Sequence, residues 1–156
     1  MKSLKILALA PLFLLAIGCS SGARVSAPEG FAELDEGETY SYRATNAAGV
    51  VIAVRTEDNN PRGNLDFWTN AVDLKLKKSG YAPISEEAAK VSSEAGLDGR
   101  RLRYTTQKDG RTHEYWVTVF VTEDEVIVVE AAGDESFFDQ KTQKRIEAAV
   151  KTVRQS

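Results

Sequence analysis

Between Arg100 and Ala132 the chain carries a pattern that a sheet accommodates and a helix does not. Arg100 to Thr106, Thr112 to Thr122 and Glu125 to Ala132 are rich in β-branched and aromatic residues and read as three strands. Asp109-Gly110 is a preferred two-residue hairpin turn, and Glu123-Asp124 closes a second hairpin less ideally. With Asp109-Gly110 in the turn, Leu102 falls opposite Val117, Arg103 opposite Trp116 and Tyr104 opposite Tyr115. Val117, Val119 and Val121 then lie on one side of the middle strand, and Trp116 and Phe120 on the other. An antiparallel strand that is apolar on both sides needs a layer over each. The expected class is therefore α+β, an antiparallel sheet flanked by helices on both faces.

The rest of the chain supplies further pieces. Tyr40 to Thr45 and Val50 to Thr56, joined by Asn46-Ala47-Ala48-Gly49, predict a hairpin. Asn64 is a good helix N-cap, Asp66 sits in the first turn and Gly80 stops the helix. Between them Leu65, Trp68, Val72 and Leu76 share one helical face. Residues 81–99 read poorly: Glu86 to Ala89 suits a turn of helix, and Ala88 to Glu94 equally suits a polar edge strand. A last helix is expected from a cap at Asp134 to about Arg154, with Phe138, Ile146, Ala149, Val150 and Val153 inward.

Three stretches carry a resemblance to a known fold. They are Gly49 to Arg55, Gly99 to Tyr104, and Tyr115 to Val121 leading into Val126 to Gly133. In this order of elements they resemble the PsbP-like fold, shared by the photosystem II extrinsic protein P, a Ran-binding import factor and the LpqN-type bacterial lipoproteins. The resemblance spans roughly residues 40–154 and implies an α/β/α sandwich with a non-enzymatic adaptor or scaffold role. It transfers no active-site residue, and a fold of this kind does not fix a function.

The N-terminus is a separate signal. Lys2 and Lys5 precede an apolar run from Ile6 to Ile17, too short for the roughly 20 residues that span a bilayer and right for a secretory signal. Ala16-Ile17-Gly18-Cys19 resembles the lipobox of bacterial lipoproteins, with Ala16 where Leu is usual. That likeness implies cleavage before Cys19, lipidation of its thiol, and anchoring through two or three acyl chains, since one chain binds a membrane only marginally. Ser20 in place of Asp implies the periplasmic face of the outer membrane, or the plasma membrane in a Gram-positive cell. Residues 1–18 are then a signal peptide, 19–28 a lipidated Cys with a flexible tether, and 29–156 one domain.

Composition narrows the chemistry. Asp and Glu number 23 against 20 Lys and Arg, and the signal removes two lysines and no acid, so the domain is acidic and unsuited to nucleic acid. Cys19 is the only cysteine and His113 the only histidine. No catalytic residue, metal site or cofactor is expected. Candidate binding residues are Arg100, Arg101, Arg103 and Arg111, gathered around one hairpin, with Trp116 beside them. These basic groups suit a partner carboxylate or an envelope glycan, or else they pair with Glu114 and other acids of the domain. A second surface is the acidic stretch Glu29, Glu33, Asp35, Glu36 and Glu38. Glu130 interrupts an apolar strand, marking either a buried site or a carboxylate that reaches water or an arginine. The leading expectation is a binding or scaffold module for a protein or envelope polymer. The alternative is a carrier of a small apolar ligand, held between sheet and helix near Trp68 or Trp116.

Overall fold

The structure, a computed structural model, describes residues 22–155 apart from Glu36 and Glu38; the signal and Cys19 lie outside the described residues. Asp109 and Gly110 both take positive φ, 51° and 73°, as a type I′ hairpin turn requires. They join β6 (Asp98–Lys108) to β7 (Arg111–Val121), and the pairs Leu102–Val117, Arg103–Trp116 and Tyr104–Tyr115 form as expected. Strand β8 (Glu125–Asp134) follows β7.

The first hairpin is β2 (Tyr42–Asn46) and β3 (Val51–Asp58), with β1 (Phe31–Glu33) on its outer edge. Residues 81–99 hold β4 (Ala82–Pro83) and β5 (Ala89–Ser92), both paired with β6, so the edge-strand reading is correct and the helical turn is not formed. All pairings are antiparallel, in the order β1-β2-β3-β8-β7-β6-β4 with β5 also on β6.

Helix α1 (Leu65–Lys78) starts as predicted, the Asn64 side chain accepting from the Phe67 N–H at 2.9 Å. Helix α2 (Gln140–Lys151) starts later than expected. Asp134 is still in β8, paired with His113, and it caps only a 3₁₀ turn at Glu135–Phe137. Phe138 must then turn inward to meet Trp116 at 5.3 Å, and Asp139 becomes the cap, accepting from Thr142 N–H at 2.7 Å.

Residues 22–28 also differ from expectation. In place of a free tether they lie along the end of the chain: Arg24 bridges Arg154, Ser26 N–H donates to Thr152, and Ala23 N–H donates to Thr56. Ala23 and Val25 are 0% and 3% exposed. Their small apolar side chains complete a core that the sequence pattern assigned to strands and helices alone.

Two apolar clusters hold the fold. Ile146, Ala149 and Val150 of α2 are buried with Trp116, Phe120, Ile52 and Val54. Leu65, Trp68, Val72 and Leu76 of α1 pack against Leu102, Tyr104, Val117 and Val119. Strand alternation puts Trp116 and Phe120 on the opposite side of β7 from Val117 and Val119. Gly99 belongs to the first arrangement: a Cβ there would stand 2.6 Å from the Phe120 ring.

Candidate functional site

The arginines of the β6–β7 hairpin do not form one cluster. Arg100 points to the α1 side, 3.7 Å from Asp66. Arg101 and Arg103 lie on the other face, where their guanidinium groups stand 4.9 and 4.6 Å from the centre of the Trp116 ring. Arg101 pairs with Glu147 of α2 at 2.9 Å and Arg103 with Glu114 at 3.7 Å. Trp116 donates its indole N–H to Glu114 at 2.8 Å and is 2% exposed. The Nε atoms of both arginines are buried without a hydrogen-bond acceptor, and the indole face takes their place. The Arg103–Trp116 pairing given by the register is therefore a stack of a partly exposed guanidinium on a buried ring. Trp68 is likewise committed, its indole N–H donating to Asn59 at 2.7 Å.

Arg111 stands apart, at the far end of the hairpin. The register places His113 opposite Asp134, Tyr115 opposite Ala132 and Val117 opposite Glu130. Alternation along β7 puts Arg111, His113 and Tyr115 on one face, with Ala132 and Glu130 beside them. Helix α1 packs on β6 and β7, and past its end this face becomes polar. Tyr115 donates its hydroxyl to Glu130 at 2.6 Å, and Arg55 approaches the same carboxylate at 3.6 Å. Tyr81 lies against Tyr115 with ring centres 5.2 Å apart. Burial, and next the Glu130 charge, push the Tyr115 hydroxyl far above the usual phenol range, so it is a neutral donor. Burial works against the charge of Arg55, yet Glu130 and Glu57 hold its pKa above the ordinary value. Glu130 has thus reached an arginine, the structural outcome weighed from sequence.

Next to this network is a cleft of about 340 Å³. It is walled by the β2–β3 turn, the β6–β7 hairpin and the 3₁₀ turn, with Val51, Lys108, Arg111, His113 and Phe137 among its lining. Arg111 bonds Asp134 at 3.1 Å, and Asp134 also accepts from the Ser136 N–H and hydroxyl. The His113 Nδ1 is 3.4 Å from the Arg111 carbonyl oxygen. Phe137 is 47% exposed. Sequence reasoning missed Arg55, Lys108 and Phe137. Lys108 was legible, since the hairpin turn places it directly opposite Arg111. Phe137 was hidden by placing the helix cap at Asp134.

The acidic entry segment is partly neutralised: Glu29 pairs with Arg145 at 3.2 Å and Glu33 with Arg24 at 3.7 Å. Another cleft, about 450 Å³, separates Ser26–Glu29 from α2. Among the described residues no group of three His, Cys, Asp or Glu is placed to hold a metal ion. Among them, too, no helix is long and apolar enough to cross a membrane.

Comparison with protein-family models finds no match, and comparison with curated protein sequences finds none either. Solved structures do match. LpqN of Mycobacterium tuberculosis, involved in cell envelope biogenesis, has a TM-score of 0.64 at 13% identity, covering 85% of this chain and 80% of its own. The cyanobacterial PsbP of Synechocystis has a TM-score of 0.58 at 11% identity, covering 86% and 87%. The fold resembles that of these two proteins. A Bacteroides thetaiotaomicron protein is similar too, with a TM-score of 0.57 at 14% identity over 86% of this chain. This chain spans 45% of that protein's length. At such identities the PsbP-like likeness speaks for architecture alone.

Proposed function

We propose that this chain is a lipid-anchored envelope protein that acts without catalysis, as a binding or scaffold module for a protein or an envelope polymer. The anchor is Cys19, on the lipobox resemblance of Ala16-Ile17-Gly18-Cys19. The involvement of LpqN in cell envelope biogenesis is consistent with an envelope role. The periplasmic face of the outer membrane is the destination that Ser20 favours. The two apolar clusters, one with each helix, support the reading of the fold as an α/β/α sandwich.

The observation that carries the binding role is the cationic cleft at Lys108, Arg111 and His113, with exposed Phe137 beside it. Its position suits the anchor. Packing of the described chain begins at Gly22, three residues after Cys19, a reach of about 10 Å at most. Ala23 is held at Thr56, while the cleft begins at Val51, five residues along the same strand. At about 3.4 Å per residue the two lie roughly 17 Å apart. A domain held at Cys19 therefore turns this cleft away from the lipid.

Chemical crosslinking of the anchored protein in its own envelope tests the reading. A discrete crosslinked species is expected from the natural sequence and is expected to be lost in the Lys108→Glu, Arg111→Glu double variant. Identical species from both would contradict it.

A further inference from the structure

Lys108 and Arg111 face each other directly across the Asp109-Gly110 turn. Like charges so placed destabilise a hairpin unless an anion lies between or beside them. Asp134 serves Arg111, through one carboxylate oxygen, and its other oxygen is taken by Ser136. Lys108 has no ion-pair partner among the described residues. The sequence thus sets two cations and His113 around one cleft and supplies one carboxylate.

The rest of the lining is apolar and small-featured. Val51 and Ala132 lie side by side on the same sheet face, and Phe137 closes one wall. At roughly 30 Å³ per water, about 340 Å³ equals the space of about eleven waters. That accommodates the last one or two residues of a chain and not a folded partner surface. A cationic rim over a small apolar floor matches a terminal carboxylate carrying a short aliphatic side chain. Arginine's fork favours a planar carboxylate, and Lys108 adds a point charge.

We infer that the cleft at Lys108, Arg111 and His113 binds the free terminal carboxylate of a peptide ending in a small aliphatic residue, the side chain resting on Val51, Ala132 and Phe137. This rests on reading the chain as a binding module and names the chemistry of its ligand. The carboxylate completes the charge balance that Asp134 alone leaves open.

The test is a titration of the full chain in detergent, followed by NMR, with acetyl-dialanine in its L,L and D,D forms and with the corresponding amides. Saturable shifts at Val51, Lys108, His113 and Ala132 are expected with an acid form. Loss of the charge-assisted bond weakens the amides by about tenfold or more. Arg111→Ala is expected to weaken the acid by a similar factor, while Arg62→Ala, at the opposite end of the sheet, leaves it unchanged. Preference for L,L points to a protein C-terminus and preference for D,D to a wall peptide; either supports the site. No saturable binding of either acid, or equal binding of acid and amide, overturns it. Should the peptides fail while the charge-sensitive crosslink persists, the ligand class is wrong and the binding module stands.

Discussion

Trp116 places nearly its whole surface inside the protein, and the residues around it are polar as well as apolar. Phe138 meets one part of the ring, two guanidinium groups cover its face, and Glu114 takes its N–H. Trp116→Phe keeps a ring but removes the donor, leaving the buried Glu114 carboxylate short of a partner. A loss of about 1–3 kcal/mol is expected from urea unfolding; an unchanged midpoint would contradict the stack. The tyrosines make a second prediction. Burial first, then Glu33, pushes the Tyr42 hydroxyl up to about 12, and Tyr104 and Tyr115 are held higher. Each is raised above the value of about 10 for an unfolded chain. Their contribution to stability is complete below pH 10 and is lost progressively as pH rises above 10, through about 12 for Tyr42 and beyond it for the other two. Tyrosinate absorbance should therefore rise together with unfolding in that window. Ionisation of Tyr42, Tyr104 and the partly buried Tyr115 near pH 10 in a folded protein would contradict the packing.

At the scale of elements, legibility follows the length of the repeat. The register of the β6–β7–β8 meander was readable because Asp109-Gly110 fixes one hairpin and Glu123-Asp124 the other, and every pair then follows by period two, while the strand ends differ by one or two residues. Helix α1 was readable from Asn64 and its apolar spacing, and Asn64→Ala should cost about 1 kcal/mol by removing the cap on Phe67. Strands β4 and β5 are two and four residues long, shorter than any periodicity can announce. The start of α2 was misplaced because Asp134 and Asp139 are both good caps, and only the inward turn of Phe138 selects between them. Residues 22–28 were misread because small residues suit a tether and a tight packing site equally well. Val25→Ala separates the two: about 1–3 kcal/mol lost for a packed segment and no change for a free one.

Over the whole molecule, the arginines that drew notice in sequence divide by task. Arg101 and Arg103 cover Trp116, Arg100 pairs with α1, and Arg111 is the one whose side chain remains 65% exposed. Their separation was not legible, because strand alternation sends neighbours to opposite faces and the hairpin carries Arg111 to its far end. The candidate site emerged from positions distant in sequence, joining the β2–β3 turn, the hairpin and the 3₁₀ turn at one end of the sheet. That end is the one a short anchor at Cys19 would hold away from the membrane. The most direct measurement is in-cell crosslinking from a photoreactive residue at position 137, compared with one at Lys75 on the outer side of α1. A partner captured from position 137, and lost when Arg111 is reversed in charge, is the predicted result. Equal capture from both positions, or capture indifferent to Arg111, would contradict the account.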